Sequence, residues 1–293
     1  MTVGPILLLG ADGQLGTDLG AALQDPDLVT RTHAELDVTN AAAVERDLAD
    51  VRPAIVINAT AEDRVDAIER DPAPAFAVNA VAVHYLARAA ARHGARLVHF
   101  STDYVFGSGR PGPYTEDDPP APANAYGISK LAGEHLVLIA DPRHLVIRTS
   151  GLYGVRGSRQ KGGNFVLTML RRAREGQPIR VVDDQVCSPT YAADLVGAVV
   201  RLLEAEAPGG IYHLTNSGAC SWYEFARAIF AVWGLTPDLR RTTSDAFGAA
   251  ARRPVNSVLA NTRIEKLGLK SLRGWPDALA AYREALGRAA GSP

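Results

Sequence analysis

The stretch "PILLLGADGQLGTDLG", residues 5–20, decides the fold of this chain. It begins with a short apolar run that ends at Gly10, as expected for a strand buried on both faces of a parallel sheet. Glycines at positions 10, 13 and 16 form a turn, residues 10–16, and a helical pattern follows. This order is typical of a dinucleotide-binding site, because small residues let the backbone approach a pyrophosphate at a helix N-terminus. The glycine spacing would be weak alone, and its place after the first strand strengthens it.

Strands and helices alternate through the rest of the first half. We predict further strands at 28–30, 35–39, 54–60, 96–102 and 144–150, and helices at 41–51, 75–94 and 124–140. Such alternation produces right-handed crossovers and a parallel sheet. The prediction is an α/β protein with a Rossmann-type doubly wound parallel sheet over residues 1–150, to which the chain returns around 190–216. A smaller mixed α/β substrate lobe takes most of residues 151–293, where Ser221 is the predicted N-cap of a helix.

The composition excludes several classes of protein. Of 293 residues, 47% are hydrophobic and 22% are charged, and the net charge is -1. A large core is therefore expected, and nothing attracts the chain to nucleic acid or to an anionic membrane. The first residues lack a basic region and a long apolar run, which predicts a cytoplasmic protein without a membrane span. Only Cys187 and Cys220 are present, without metal-ligand spacing, so we predict buried thiols and no metal site.

A threonine, a tyrosine and a lysine form the candidate catalytic set. Thr102 ends a predicted strand, and Tyr126 and Lys130 stand one turn apart on the next helix. A ketone that accepts hydride needs a proton at that moment, but free tyrosine has a pKa of about 10. Lys130, with the charge of an oxidised nicotinamide, would lower that pKa and hold the nicotinamide ribose. Thr102 would hydrogen-bond the substrate oxygen. YxxxK alone is common on surface helices, so the prediction depends on its combination with the glycine turn and Thr102.

The end of the second strand bears on the choice of cofactor. In this architecture an acidic residue there binds the ribose 2′-hydroxyl of NADH, whereas an arginine accommodates the 2′-phosphate of NADPH. The chain has Arg31 at this place and no acidic residue before Glu35. NADPH is therefore favoured, with NADH as the alternative, and a solvated surface charge is the competing interpretation of Arg31. The predicted cofactor contacts in this part of the chain are Gly10, Asp12, Gly13, Gln14, Leu15, Gly16 and Arg31.

Seven segments in order carry a resemblance to a known family: "GADGQLG", "STDYVF", "YGISKLAGE", "NFVLTMLRRA", "DDQVCSPTYAADL", "YHLTNSGACSWYEFA" and "RRPVNSVLAN". Their order and spacing are similar to those of the extended short-chain reductases of the dTDP-4-dehydrorhamnose reductase family, nearly from end to end. The resemblance implies a Rossmann lobe, NADPH or NADH as hydride donor, and a nucleotide-linked 4-keto-6-deoxyhexose, dTDP-linked, as hydride acceptor. It also implies Thr102, Tyr126 and Lys130 as the catalytic set.

The same resemblance assigns further residues to the site. Asp37, Val38, Asn58, Ala59, Thr60 and Ala61 are expected at the cofactor, with Tyr126 and Lys130. Asp103, Tyr104, Asn164, Trp222, Arg253 and Asn256 are expected at the substrate. A sugar diphosphate favours arginine and amide donors beside an aromatic surface, which agrees with Arg253, Asn164 and Trp222. For Trp222 core packing is the competing interpretation, and for Arg253 a structural ion pair.

Two departures from the family pattern bear on the sugar. After the third strand, where the family has "AAYTAVD", this chain has "TAEDRVD" at residues 60–66. Where the family has "TSW", this chain has "TSG", ending at Gly151. Both fall at the rim of the predicted site. They leave hydride transfer intact and leave open a reductase that acts on another deoxysugar.

Two other functions remain open at this stage. One is an epimerase or dehydratase of the same superfamily, which keeps its nicotinamide and returns the hydride. Dehydratases place an Asp-Glu pair after the strand-end threonine, and Asp103 followed by Tyr104 disfavours them. The other is a non-catalytic regulatory subunit that retains the dinucleotide site. The oligomeric state is open too, with a homodimer as one alternative.

Overall fold

The computed structural model describes residues 4–23, 26–157 and 162–291. Residues 158–161, within the Gly/Arg-rich stretch that opens the predicted second lobe, lie outside the described residues. The strands are β1 (Ile6–Leu9), β2 (Leu28–Arg31), β3 (Ile55–Asn58), β4 (Arg96–Thr102), β5 (Leu145–Thr149), β6 (Leu152–Tyr153), β7 (Ile179–Val182), β8 (Val186–Cys187), β9 (Thr190–Tyr191), β10 (Gly210–His213), β11 (Cys220–Ser221) and β12 (Leu239–Thr242).

The helices are α1 (Gln14–Leu23), α2 (Ala41–Val51), α3 (Val65–Arg70), α4 (Ala73–Phe76), α5 (Val83–Arg92), α6 (Ala125–Ala140), α7 (Phe165–Glu175), α8 (Ala192–Glu204), α9 (Trp222–Trp233), α10 (Ser244–Phe247), α11 (Thr262–Lys266) and α12 (Trp275–Gly291). A π-helical segment, Ala77–Ala82, joins α4 to α5, and a 3-10 turn, Asp103–Val105, follows β4.

Six parallel strands form the central sheet in the order β10-β5-β4-β3-β1-β2. The chain moves from β1 to β2 on one side and then to β3 on the other. This reversal creates a crevice between β1 and β3 at the carboxyl edge of the sheet, which is where open α/β folds bind ligands. The predicted α/β class with a doubly wound parallel sheet is confirmed.

Both faces of the sheet are covered, which explains why its strands are continuously apolar. Alternate residues of one strand face opposite sides. On one side Leu8 belongs to a core cluster with Leu19 of α1 and Leu195 of α8. On the other side Leu7 belongs to a cluster with Leu48 of α2 and Leu86 of α5. The sheet is therefore rigid, and the groups at its carboxyl edge are held on a fixed frame.

Local predictions were confirmed for some elements and wrong for others. The predicted helix at 41–51 and strand at 96–102 match α2 and β4. The predicted strand at 35–39 was wrong, because Asp37 accepts hydrogen bonds from the backbone and hydroxyl of Thr39 and turns the chain. The single helix predicted at 75–94 is interrupted by the π-helical segment, where buried Asn79 turns its side chain toward the loop after β3.

The second half adds a smaller set of elements around an aromatic cluster. β7 and β12 form a parallel pair, α9 packs beside β7, and α12 packs on α9 and β9. Tyr153, Phe225 and Tyr282 lie at the centre of this cluster. Ser221 caps α9 in a capping box with Glu224, as predicted. Within the described ranges, no helix combines the length and the apolar character that a membrane span requires.

Candidate active site

The turn between β1 and α1 has a shape that only glycine allows at two positions. Gly10 has a φ of 76°, and its N–H and that of Ala11 donate to the carbonyl oxygen of Arg31. A Cβ on Gly16 would lie 2.0 Å from the carbonyl oxygen of Gly10. The start of α1 is thus pressed against the end of β1, and the first-turn N–H groups, which have no intrahelical partner, open toward the crevice.

This cradle fits a dinucleotide. The atoms nearest to a Cβ on Gly16 would all be backbone atoms of Gly10 and Ala11, so the backbone of the turn comes close to the helix start. Gln14 donates to the carbonyl oxygen of Leu152, and Leu15 is buried in the core. At residues 12–16, therefore, the helix N-terminus and the glycine backbone are the groups that could bind a pyrophosphate.

The second strand supplies Arg31 close to the glycine turn. Its guanidinium binds Asp47 of α2, with Nη2 2.8 Å from Oδ1, and its side chain is 28% exposed. The 2′-phosphate contact therefore stays a prediction, and making it would require Arg31 to share or leave Asp47. Asp37 is exposed and occupied by Thr39, while the Val38 side chain is buried. The contacts of both residues with a cofactor stay predictions.

The end of β3 forms the other wall of the crevice. The Ala59 N–H donates to the carbonyl oxygen of Leu9, and a Cβ on Gly10 would lie 3.1 Å from Thr60 Cγ2. Asn58 is buried, and its Oδ1 accepts from the N–H and the hydroxyl of Thr60. Residues 58–61 therefore lie beside the glycine turn, as the resemblance implies, although their contact with a cofactor stays a prediction.

Thr102 and Tyr126 are brought together by β4 and α6. Asn124 caps α6 through its side chain, which places Tyr126 in the first turn of the helix. The Thr102 hydroxyl donates to Asp103 Oδ1 at 3.2 Å and accepts from the Tyr104 N–H at 3.2 Å. It also makes a hydrogen bond with the Tyr126 hydroxyl. That bond lowers the pKa of Tyr126, which means that it stabilises the tyrosinate.

Lys130 lies one turn further along α6 and is buried, with a relative exposure of 2%. Its Nζ is 3.4 Å from Nε2 of His99, a fully buried residue of β4. Burial lowers the pKa of Lys130 to about 8, and the charges of Glu134 and Asp63 oppose that shift. Lys130 therefore titrates just above neutral pH, which is unusual for a lysine.

The predicted lowering of the Tyr126 pKa by Lys130 is not among the causes that set this pKa in the protein without a cofactor. Burial raises the pKa of the Tyr126 hydroxyl, the charge of Asp63 raises it further, and the hydrogen bond with Thr102 opposes both. Asp63 and His99 were missed as neighbours of the site. A histidine inside the otherwise apolar stretch "RLVHF" was an available indication, as was the acidic residue at position 63 in the departing loop.

Asp103 was predicted to face the substrate, but its carboxylate is used within the protein. Oδ2 accepts from Ser150 Oγ at 2.8 Å and from Ser257 Oγ at 2.5 Å. Burial raises the pKa of Asp103 to about 6, and these hydroxyls and that of Thr102 oppose the shift. Asp103 therefore joins the ends of β4 and β5 to residue 257, and direct contact with a substrate stays an untested prediction.

Arg253 takes the structural ion pair that was its competing interpretation. Its Nη1 and Nη2 bind Oδ1 and Oδ2 of Asp66 at 2.5 and 2.6 Å. The guanidinium also makes a hydrogen bond with Tyr104, whose ring packs edge-on against Tyr126 at 5.9 Å. The Arg253 side chain is 17% exposed and lies beside Tyr104, and its contact with a substrate stays a prediction.

Asn164, Trp222 and Asn256 have structural contacts as well. Asn164 caps α7 and donates to the carbonyl oxygen of Gly154 at 2.8 Å. Trp222 packs on Phe165, and its ring edge lies 3.5 Å from where a Cβ on Gly151 would be. Asn256 Nδ2 donates to the carbonyl oxygens of residues 110 and 112. Trp222 thus lies beside the position at which the family's "TSW" tryptophan is replaced by glycine.

Comparisons with known proteins agree with this geometry. Residues 4–287 match the family model described as the RmlD substrate binding domain. A dTDP-4-dehydrorhamnose reductase of Mycolicibacterium smegmatis is 42% identical over 278 residues, covering 94% of this chain and 83% of the relative. A probable dTDP-4,6-dihydroxy-2-methyloxan-3-one 4-ketoreductase of Streptomyces antibioticus is 42% identical over 279 residues, covering 93% and 92%.

A solved structure is similar over almost the whole fold. The crystal structure of dTDP-4-dehydrorhamnose reductase from Bacillus anthracis in complex with NADP has a TM-score of 0.91 and 36% identity, covering 96% of this chain and 99% of that one. These matches confirm the resemblance carried by the seven sequence segments. The chain therefore belongs to the dTDP-4-dehydrorhamnose reductase family.

Proposed function

We propose that this protein is an NADPH-dependent reductase that converts the C4 ketone of a dTDP-linked 4-keto-6-deoxyhexose to an alcohol. The observation that carries the proposal is the placement of Thr102, at the end of β4, close to the helix α6 that bears Tyr126 and Lys130, at the carboxyl edge of the sheet. Family membership and the NADP bound to the relative from Bacillus anthracis support it. NADH remains the alternative donor.

The residues that would hold the cofactor are those of the crevice between β1 and β3. The glycine turn and the first turn of α1 would bind the pyrophosphate, residues 58–61 would line the opposite wall, and Lys130 would hold the nicotinamide ribose. NADPH, when bound, supplies the hydride. Arg31 would bind the 2′-phosphate beside the glycine turn, where its carbonyl oxygen already accepts two backbone N–H groups.

Thr102 and Tyr126 would act on the substrate oxygen. A ketone oxygen that accepts a hydrogen bond from each would lie beside both hydroxyls, and Thr102 would then donate to it in place of Asp103. Tyr126 would release its proton to the alkoxide that forms there. Within the protein burial disfavours the tyrosinate, so charge on Lys130 and on the oxidised nicotinamide is needed to favour it. Lys130, with a pKa of about 8, is largely charged at neutral pH.

The test is consumption of NADPH with a dTDP-linked 4-keto-6-deoxyhexose and identification of the product. Tyr126→Phe should lower kcat by at least about a hundredfold, because the general acid is lost. Thr102→Val should lower it by about a hundredfold, because one donor to the developing oxyanion is lost. Tyr85→Phe is the matched control, since Tyr85 is a 38% exposed residue on α5, and it should leave kcat unchanged.

The outcome separates the alternatives. Turnover without net consumption of NADPH would identify an epimerase, and the reductase would be wrong. Binding of NADPH with no turnover on dTDP- or UDP-linked keto sugars would favour the regulatory subunit. A product from another deoxysugar would retain the reductase and change the substrate, as the name of the 4-ketoreductase from Streptomyces antibioticus illustrates. The cytoplasmic location and the homodimer stay predictions within this proposal.

A further inference from the structure

His99 is a buried titratable group that the proposed reaction does not use. It lies on β4, three residues before Thr102, and its side chain is fully buried. Its ring lies between two side chains of the site: Nδ1 is 3.2 Å from Asn58 Nδ2, and Nε2 is 3.4 Å from Lys130 Nζ. The ring therefore connects the wall of the crevice to the lysine.

The orientation of Asn58 fixes which ring nitrogen carries the hydrogen. The Thr60 backbone N–H can only donate, and it is bound to Asn58 Oδ1 at 3.1 Å. The amide nitrogen of Asn58 therefore faces His99, and because an amide NH₂ can only donate, Nδ1 must accept. Burial lowers the pKa of His99 well below its usual value, so the ring is neutral. Its single hydrogen is on Nε2, and that nitrogen faces Lys130.

An N–H that points at the amine has a consequence for Lys130. An ammonium group has three donors and no acceptor, so it cannot accept the hydrogen on Nε2, whereas the uncharged amine has a lone pair for it. We propose that His99 is a positioning residue for Lys130, which presents its Nε2–H to the amine and so favours the uncharged form of this lysine. The proposed catalytic set then consists of Thr102, Tyr126 and Lys130, and His99 influences the protonation of Lys130.

Other charged neighbours of Lys130 act in the opposite direction. Glu134 on α6 and Asp63 in the loop after β3 both favour the charged form. The Glu134 carboxylate is bound to Arg148, with Nη2 2.6 Å from Oε2, which offsets its charge. The His99 ring is fully buried, and each of its nitrogens faces a partner side chain. The histidine is therefore the group on β4 that opposes the two carboxylates.

The titration of Lys130 can be measured directly because lysine is rare in this chain. The sequence contains Lys130, Lys161, Lys266 and Lys270 only, so protein labelled with ¹³C at lysine Cε gives four resonances. Loss of one resonance in Lys130→Arg assigns it. In the cofactor-free protein we expect its midpoint at a pH of about 8, below the value of about 10 of a free lysine. This measurement does not depend on the proposed reaction.

Two variants change, in different ways, the group that residue 99 offers to Lys130. His99→Leu removes the donor and should raise the Lys130 midpoint by at least about half a pH unit. Asn58→Asp keeps the volume but replaces the NH₂ by an acceptor, so the ring should carry its hydrogen on Nδ1 and turn a lone pair toward Lys130. The midpoint should rise further than in His99→Leu. If His99→Leu does not fold, Asn58→Asp carries the test.

The matched control is His144→Leu. His144 is also fully buried, but its Nδ1 accepts from the Leu97 N–H and its Nε2 bonds the carbonyl oxygen of Ala87, away from Lys130. Its loss should leave the Lys130 midpoint unchanged. An equal rise in His144→Leu, an unchanged midpoint in both test variants, or a wild-type midpoint at the value of about 10 of a free lysine would overturn the proposal.

The reaction provides a second measurement, which rests on the proposed function. If charged Lys130 is needed for turnover, kcat falls as pH rises through the lysine midpoint, and in His99→Leu this fall should move to higher pH by the same amount as the resonance. A moved resonance without any reductase activity would disprove the proposed function and leave the role of His99 intact. A moved fall in kcat with an unmoved resonance would overturn the role of His99.

Discussion

The glycine turn and the junction between the two halves of the chain border the same candidate site but are built differently. The turn consists of backbone: two N–H groups donate to Arg31, and Gly16 lies against Gly10. The junction, made of Asp66, Asp103, Ser150, Arg253 and Ser257, consists of side chains that meet across long stretches of sequence. The glycine turn depends on the absence of side chains, whereas the junction depends on charge and hydrogen bonding. Added side-chain volume should therefore disrupt the turn, and a change of pH should alter the stability of the junction.

The largest effect should come from filling the space in the glycine turn. In Gly16→Ala the Cβ would lie 2.0 Å from the Gly10 carbonyl oxygen and 2.9 Å from Ala11 Cα. Both are backbone atoms, so α1 must move away from β1. We expect a loss of about 3 kcal/mol of stability in urea unfolding and no detectable binding of NADPH by calorimetry.

The matched control for that change lies on the same helix. A Cβ on Gly20 would lie 3.8 Å from Leu8 Cδ2, an ordinary contact. Gly20→Ala should therefore retain NADPH binding and gain up to about 1 kcal/mol of stability, because alanine is the better helix former. Normal NADPH binding by Gly16→Ala would show that the turn tolerates a side chain and would remove the spatial half of the comparison.

Asp103 should give a smaller effect of a different kind at the junction. Burial raises its pKa to about 6, whereas in the unfolded chain it is about 4. Between these two values the folded state binds more protons than the unfolded state, so the contribution of Asp103 to stability falls as pH rises through this window. Asparagine does not titrate, so the stability of the Asp103→Asn variant does not contain this pH-dependent loss. The stability of this variant relative to the wild type should rise by on the order of 2 kcal/mol from pH 4 to pH 7.

Urea unfolding of both proteins at several pH values measures that difference. The variant need not be as stable as the wild type. The prediction concerns only how the difference between their free energies of unfolding changes with pH. A constant difference would mean that Asp103 is ionised throughout, held by the hydroxyls of Ser150 and Ser257. In that case the junction would hold a permanent charge beside Thr102.

The contrast explains what the sequence could predict. The glycine turn was predictable because a positive φ and a close backbone approach leave a local mark, glycine at fixed spacing. Tyr126 and Lys130 were predictable because four residues on a helix form one face. The helix predicted at 75–94 is present up to Arg92, but its π-helical segment was not predicted, and Asn79 within that segment contacts Glu62 and Ser129, which are remote in sequence.

The junction left no such local mark. Arg253 and Asp66 are 187 residues apart, and Ser257 and Asp103 are 154 apart. The residue types alone fit a ligand contact as well as an ion pair, and only the fold decides which charges meet. The same holds for His99, whose role depends on Asn58 from a neighbouring strand and Lys130 from a helix.

The smallest effect should come from Asp66, with the opposite sign to that of Asp103. Arg253 lowers the pKa of Asp66 to about 2, below its value of about 4 in the unfolded chain. The stabilisation is therefore present above about pH 4 and is lost as pH falls toward 2. Because the Asp66 side chain is 41% exposed, solvent screening limits the effect to about 1 kcal/mol.

Asp66→Asn tests this sign in the same unfolding series. The Asp66→Asn variant should be less stable than the wild type at neutral pH, and this difference should shrink as the solution is made acidic. The stability of Asp103→Asn relative to the wild type should instead rise as pH rises. High salt should reduce the Asp66 effect more than the Asp103 effect, because only the former is an exposed ion pair. If both variants changed with pH in the same direction, burial and pairing would not be the forces that distinguish the two carboxylates, and the junction would act as one coupled group.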